Sequence, residues 1–160
     1  MNFAEVERDY IRSRILPDFD WVTYSTPSPV NRLHGPVQES RVALVTTAGV
    51  HTTAQSTFNL RSKTGNHSYR EIPNDVAWDE LRLSHVGYNI QKVSQDINCV
   101  FPLQRLWELE IAGLVGSLNR RHFSFMGYIP IVGPLLNETG PEVARKLQED
   151  GVDLVLLVPA

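Results

Sequence analysis

The sequence predicts an α/β domain with a mainly parallel sheet, and three observations carry the prediction. Short β-rich apolar runs at residues 41–51, 81–86, 122–127 and 152–159 alternate with helical patterns. The first and last of these, RVALVTTAGVH and VDLVLLVP, are the continuous apolar stretches expected of strands buried on both faces. The helical patterns repeat apolar residues at i, i+3 and i+4, with Pro at their starts and Gly at their ends. The expected architecture is a single three-layer domain of Rossmann- or flavodoxin-like type over residues 41–160. An N-terminal helix and an irregular Pro-rich arm over residues 1–40 precede it.

Residues 2–15 place Phe3, Val6, Tyr10 and Ile15 at helical spacing with Glu5, Glu7, Arg8, Arg12 and Arg14 elsewhere, so an amphipathic helix is expected there. Pro17 ends it. From Asp18 to Ser40, Pro27, Pro29, Gly35 and Pro36 are scattered among Phe19, Trp21 and Tyr24, which predicts an arm able to wrap a neighbouring surface. Residues 41–51 form the first strand and lead into Ala48-Gly49. The polar stretch 51–73, with Gly65-Asn66 as a turn signal, reads as a functional loop or lid. LRLSHV (81–86) reads as the second strand. Pro102 then opens the clearest helix, with Leu103, Leu106, Trp107, Ile111 and Leu114 on its apolar face. HFSFMG (122–127) is the third strand, Pro141 opens a helix through Asp150, and VDLVLLVP (152–159) is the most apolar strand of all.

Composition narrows the function classes. With 160 residues, 42% of them hydrophobic, the chain can bury one sizeable core. The net charge is −3, and no basic run argues for nucleic acid. The apolar runs are too short to span a membrane, and the N-terminus lacks the apolar core of a signal peptide. A single cysteine excludes an internal disulfide. A cytoplasmic location is therefore expected.

In an open α/β sheet, ligands bind beyond the carboxyl ends of the strands. His51, His85 and His122 all fall near such ends in this reading, and could together bind substrate or a metal. Their spacing matches no short metal motif, so ordinary hydrogen-bonded imidazoles are the competing expectation. Asn89, Asp96 and Asn98 precede the helix at Pro102. Capping is their first role by residue type, and lining a polar substrate pocket at the helix entrance is the functional alternative. Cys99 is expected to be a buried, inert thiol, Ser124 and Met126 to be packing residues, and His34 and His67 to be solvated. No nucleophile elbow, phosphate loop, CxxC or HExxH motif is present.

The motifs VALVTTAGVH, SYREIP, SHVGYN, QDINCVFPLQRLWELEIAGLVGSL, HFSFMG and VDLVLLVP, in this order, resemble the B-component family of glycine, sarcosine, betaine and D-proline reductases. The resemblance runs from about Arg41 to Ala160 and leaves residues 1–40 uncovered. It implies reductive cleavage of a C–N bond in a small amino-acid-like substrate. It also implies a partner subunit, in some members carrying a pyruvoyl group, or a thiol electron donor. In the family the strand like VDLVLLVP leads into a UxxC or CxxC redox motif, which these 160 residues do not contain, and Cys99 does not take its place. No cofactor is therefore evident in the chain itself; the expectation is a chain truncated at a selenocysteine codon after Ala160, with a short paralogue paired to a thiol-carrying subunit, or proteolytic processing, as the alternatives. An uncovered last strand further predicts a homo-oligomer. Two other functions compete: a metal-dependent enzyme using His51, His85 and His122, and a non-catalytic binding or assembly protein.

Overall fold

The computed structural model describes residues 2–160 apart from Ile15, Val22, Tyr24 and Val30. These group into two compact units, Met1–Arg32 and Leu33–Ala160. The Ile15 position in the expected helical stripe and Tyr24 in the arm lie outside the described residues.

In the first unit, α1 (Phe3–Arg14) carries Glu5 in its first turn and Arg12 and Arg14 in its last, the charge order that complements the helix dipole. The chain then folds back on it. The Trp21 indole N–H donates to the Ala4 carbonyl at 2.9 Å, and Arg12 reaches the Phe19 carbonyl and the Asp20 carboxylate. Phe19 and Trp21 meet edge to face.

The second unit is built on β1 (Arg41–Thr46), which pairs with three other strands. On one side, β5 (Ser117–Leu118) and β6 (Arg121–Phe125) follow one another in parallel to it. On the other side runs β7 (Leu154–Val158), also parallel. An antiparallel strand, β3 (Tyr69–Pro73), extends the sheet beyond β6. The α/β class follows from this mixed, mostly parallel sheet; the finer Rossmann- or flavodoxin-like arrangement goes beyond what these strands show. Side chains of β1 alternate between two cores. Val42 and Leu44 join Leu103 and Leu106 of α3 (Leu103–Ile111), while Ala43 and Val45 join Val143 and Leu147 of α4 (Gly140–Glu149). Each fully buried Leu or Val on these faces stabilises the fold by roughly 1.5–3 kcal/mol.

Several expectations change. The stretch 81–86 is not a strand of the main sheet: β4 (Leu81–Leu83) pairs antiparallel with β2 (Val50–Thr52) in a separate ribbon. The stretch 51–73 is not all loop, because β2 and β3 occupy its ends. β3 escaped the pattern because YREIP buries one residue, Ile72, and sets it between Glu71 and Pro73, as an outer strand does. The last strand is not deeply buried. β7 has β1 along one edge alone among the described residues, and Leu157 is 69% exposed. α3 is also shorter than its apolar stripe. It stops at Ile111, which is 87% exposed, and Gly113 turns the chain with φ 67° before Leu114 can reach the core. A short helix, α2 (Ile90–Val93), lies between β4 and α3. None of the described helices is long and apolar enough to cross a membrane.

At the amino ends of the parallel strands, a cleft of about 520 Å³ is lined by Arg41, Asn119, Arg120 and Asp150. Its polar groups largely satisfy one another. The Asp150 carboxylate accepts from Asn119, Arg120 and Arg121 at 2.7–3.1 Å, and Arg41 donates to the Asp150 carbonyl.

Candidate functional site at the carboxyl edge

The carboxyl end of β1 is stitched to the ends of both neighbouring strands. Thr46, fully buried, donates its hydroxyl to the Val100 carbonyl at 2.8 Å and accepts the Ala48 N–H at 3.1 Å. The Thr47 N–H donates to Val158, and its Oγ1 accepts the Ala160 N–H at 2.9 Å. Gly49 N–H donates to Phe125 at 2.7 Å, and its own carbonyl accepts the Ser84 N–H at 2.9 Å. Gly49 has φ 69°, the left-handed region that glycine enters without steric cost.

Into this edge the segment after β4 delivers His85. Its ring stacks on Tyr88 at 4.3 Å between centroids, 16° from parallel, and the Tyr88 hydroxyl donates to the Ala48 carbonyl. Burial pushes the Tyr88 phenol up to about 12, with Cys99 adding to the shift. His85 Nδ1 accepts the Gly87 N–H at 2.8 Å, while Nε2 is buried with no hydrogen-bond partner. Nε2 faces Gly127 beyond β6: a Cβ built on that glycine would lie 3.0 Å from Nε2 and 2.7 Å from the Thr47 carbonyl oxygen. Burial lowers the His85 pKa below the ordinary histidine value.

The other two candidate histidines stand apart from this point. His51, on β2, has its Nδ1 at 3.0 Å from the Thr52 carbonyl and its Nε2 at 2.9 Å from Ser84 Oγ. A carbonyl only accepts, so Nδ1 carries the proton and Nε2 accepts from the serine. The imidazole thus ties β2 to the segment after β4. His122, on β6, is fully buried. Between the paired registers, residues 119–122 stand opposite Ala43 and Leu44, so the ladder is interrupted there. His122 Nδ1 accepts the Leu44 N–H at 3.0 Å, which assigns the ring proton to Nε2 and makes Nε2 the donor to Asn74 Oδ1 at 3.0 Å. Among the described residues, no group of three or more His, Cys, Asp or Glu side chains is arranged to hold a metal ion. The structure therefore does not gather His51, His85 and His122 into the shared centre that their places in the sequence allow.

Burial lowers the His122 pKa to about 4, from 6.5. Between those values the unfolded chain binds a proton that the folded chain refuses, so stability falls as pH drops from about 6.5 toward 4. The loss is on the order of a few kcal/mol. In urea titrations across this range, His122→Gln is expected to be less stable at pH 7, having lost the acceptor for Leu44, and to show a flatter decline. A wild-type slope in the variant would place the acid sensitivity elsewhere.

The polar cluster before α3 behaves mainly as caps. Asn89 caps α2 through the Lys92 N–H, and Asp96 accepts from the backbone and side-chain amides of Asn98, bonds that hold its carboxyl below the usual range. Asn98 also donates to Gln104, and its Oδ1 is buried without a partner. Cys99 is exposed, not buried, because its short 3₁₀ turn (Ile97–Cys99) directs Ile97 inward instead. His34 is exposed as expected, whereas His67 is half-buried with an unpaired Nδ1. Ser124 and Met126 are buried packing residues. Thr47, Tyr88 and Gly127 were not singled out in the sequence. Their signal was the glycine that follows each strand or histidine in TTAG, SHVGY and FMG.

A family model described as glycine/sarcosine/betaine reductase selenoprotein B matches residues 6–160. The chain is 41% identical over 133 residues to the D-proline reductase subunit gamma of Acetoanaerobium sticklandii, covering 82% of this chain and 54% of that one. It is 28% identical over 145 residues to the glycine reductase complex component B subunit gamma of Carboxydothermus hydrogenoformans, covering 89% and 32%. It is also 28% identical over 151 residues to the sarcosine reductase complex component B subunit beta of Peptoclostridium acidaminophilum, covering 89% and 31%. The chain thus spans about half the length of the first relative and a third of the other two. No solved structure matches it. The match begins within α1, so it takes in the N-terminal residues that the sequence motifs left uncovered. From residue 6 to its last residue, this chain belongs to the glycine/sarcosine/betaine reductase selenoprotein B family.

Proposed function

We propose that this chain supplies the substrate side of a component-B-type reductase that cleaves the C–N bond of a small amino acid. The observation that carries the reading is the family match over residues 6–160, with 41% identity to a D-proline reductase subunit. The reaction has a simple balance. The C–N bond breaks, the carbon and the nitrogen each gain hydrogen, and a dithiol supplies two electrons and two protons as it becomes a disulfide. The one cysteine of these residues is not paired for this chemistry, so the redox group comes from elsewhere. The reading places it in a selenocysteine- or cysteine-containing segment beyond Ala160, whose N–H is held by Thr47 beside Gly127 and His85. It also includes association with other subunits, since two of the relatives are named as parts of reductase complexes and β7 presents Leu156 and Leu157 to solvent.

The test is direct. The protein, purified from its native host with the subunits that accompany it, is expected to release an amine or a ring-opened product from D-proline, glycine, sarcosine or betaine when given a dithiol. Reading the coding DNA beyond the Ala160 codon should reveal an in-frame UxxC or CxxC. Turnover of none of the four substrates, with an ordinary stop codon after Ala160, would favour a non-catalytic assembly protein.

A further inference from the structure

We propose that β7 is an interior strand of the complete sheet. The residues that follow Ala160 cross the α4 face as a helix over Leu157 and return as a parallel strand on the open edge of β7. The proposal rests on the continuation beyond Ala160 put forward above, and says where in the fold that segment goes.

The two edges of the sheet differ in kind. β3, at one edge, carries Arg70, Glu71 and Pro73, the charges and proline with which an edge strand resists further pairing. β7, at the other, reads LVLLV, with no charge and no proline. The Thr47 N–H donates to the Val158 carbonyl, so alternate residues of β7 back from Val158 turn their backbone groups to β1. Val155 and Leu157, at the intervening positions, turn their N–H and C=O groups to the open edge, where no described strand pairs with them.

The hand of the crossovers says what lies over that edge. Between β1 and β6 the chain passes through α3 on the Val42 and Leu44 face; between β6 and β7 it passes through α4 on the Ala43 and Val45 face. The two steps run in opposite directions across the sheet and use opposite faces, so they share one hand. Parallel crossovers are right-handed in about 98% of cases. A further step from β7 onto its open edge runs in the direction of the second, so its helix belongs on the α4 face. Leu157 is on that face, because Val45 is its register partner and Val155 joins the α4 core. Leu157 is 69% exposed, against 39% for Leu156 on the opposite face. The most exposed residue of β7 thus lies where the hand of the fold puts the next helix.

The chain is placed to make this step. Ala160 leaves the carboxyl end of β7, its N–H donating to Thr47 Oγ1 at 2.9 Å. The relatives carry residues outside the matched stretch, since the chain spans about half of one and a third of two others. Counted in chain order, with β5 and β6 as one interrupted strand, the parallel strands stand second, first, third across the sheet. A strand beyond β7 extends this to the second, first, third, fourth order of a doubly wound sheet, whose ligand crevice opens between the first and third strands. The segment that leaves Ala160 therefore starts at that crevice, between the carboxyl ends of β1 and β7. On this assignment Leu157 is covered from within the chain, and Leu156 is left to the subunit contacts proposed above.

The experiment places a photo-reactive p-benzoylphenylalanine at Leu157 and, separately, at Leu156 of the full-length protein, purified with its accompanying subunits. On irradiation, position 157 is expected to crosslink within its own chain to residues after Ala160, and position 156 is not. In the unsubstituted protein, residue-resolved hydrogen exchange should show the Val155 and Leu157 amides within about tenfold of the Leu154 and Leu156 amides that face β1. Capture of a second copy or of another subunit by position 157 overturns the proposal. So does capture of the following segment from position 156 alone, free exchange at Val155 and Leu157, or a reading frame that stops after Ala160. The reductase reading is judged separately, by turnover of the four substrates named above, so either can fail alone. Should the position 157 variant not fold, exchange in the unsubstituted protein decides.

Discussion

Replacing Gly49 with alanine is expected to destabilise the protein by roughly 3 kcal/mol or more, or to prevent its folding. Two terms add. Gly49 sits at φ 69°, where a Cβ costs about 1–2 kcal/mol. That Cβ would also lie 1.9 Å from the Ser84 carbonyl oxygen and 2.8 Å from its carbon. These are backbone atoms, held by the Ser84 N–H to Gly49 carbonyl bond, so they cannot swing aside as a flexible side chain would. Gly113 separates the two terms. It has nearly the same conformation, φ 67°, with nothing within 4 Å of an added Cβ, so Gly113→Ala should show the conformational cost alone. For a domain of this size each kcal/mol moves Tm by about 2–4 °C, so thermal melts resolve the difference. Equal shifts in the two variants would mean that the loop at Gly49 yields.

Asp150→Ala is the second large effect, expected at roughly 3–5 kcal/mol. The Asp150 side chain is almost wholly buried at the end of α4. Burial pushes its carboxyl up, but bonds from Arg121, Asn119 and Arg120 outweigh burial and hold it well below the usual range. Removing it strips a partner from Arg121, which is itself largely buried and keeps Glu71 at 3.0 Å. The contrasting variant is Arg120→Ala. That side chain is 74% exposed, so its loss should cost less than about 1 kcal/mol although its bond to Asp150 is 2.8 Å long. The depressed Asp150 pKa also sets a pH dependence. Its contribution is present above the unfolded value of 3.8 and is lost as pH falls below it. Acid destabilisation should therefore begin with the His122 step below about 6.5 and continue below about 4 through Asp150, which takes over as the His122 step ends. If Asp150→Ala melts within 2 °C of wild type, roughly the effect of a single kcal/mol, the ion cluster is not what holds α4 to β6.

The sequence by itself determined the α/β class, the strands β1 and β6, the helices α1, α3 and α4, and the family. Those features rest on local causes: β-rich apolar runs for β1 and β6, i, i+3, i+4 spacing for the helices, and Pro and Gly at their ends. It also placed His85 near a strand end, through the SHVGYN motif. What the tertiary structure alone decided was who meets whom. VDLVLLVP is as apolar as a core strand, yet β7 is half-exposed, because composition reports what a strand could bury and not how many neighbours it has. LRLSHV pairs outside the main sheet because register and partner come from distant residues. Three histidines that look equivalent along the chain have different roles for the same reason. The partners of His51 and His122 arrive from Ser84, Leu44 and Asn74, whereas Nε2 of His85 meets Gly127 and the end of β1. An imidazole's chemistry is set by what its two nitrogens touch, and those contacts exist once the chain has closed on itself.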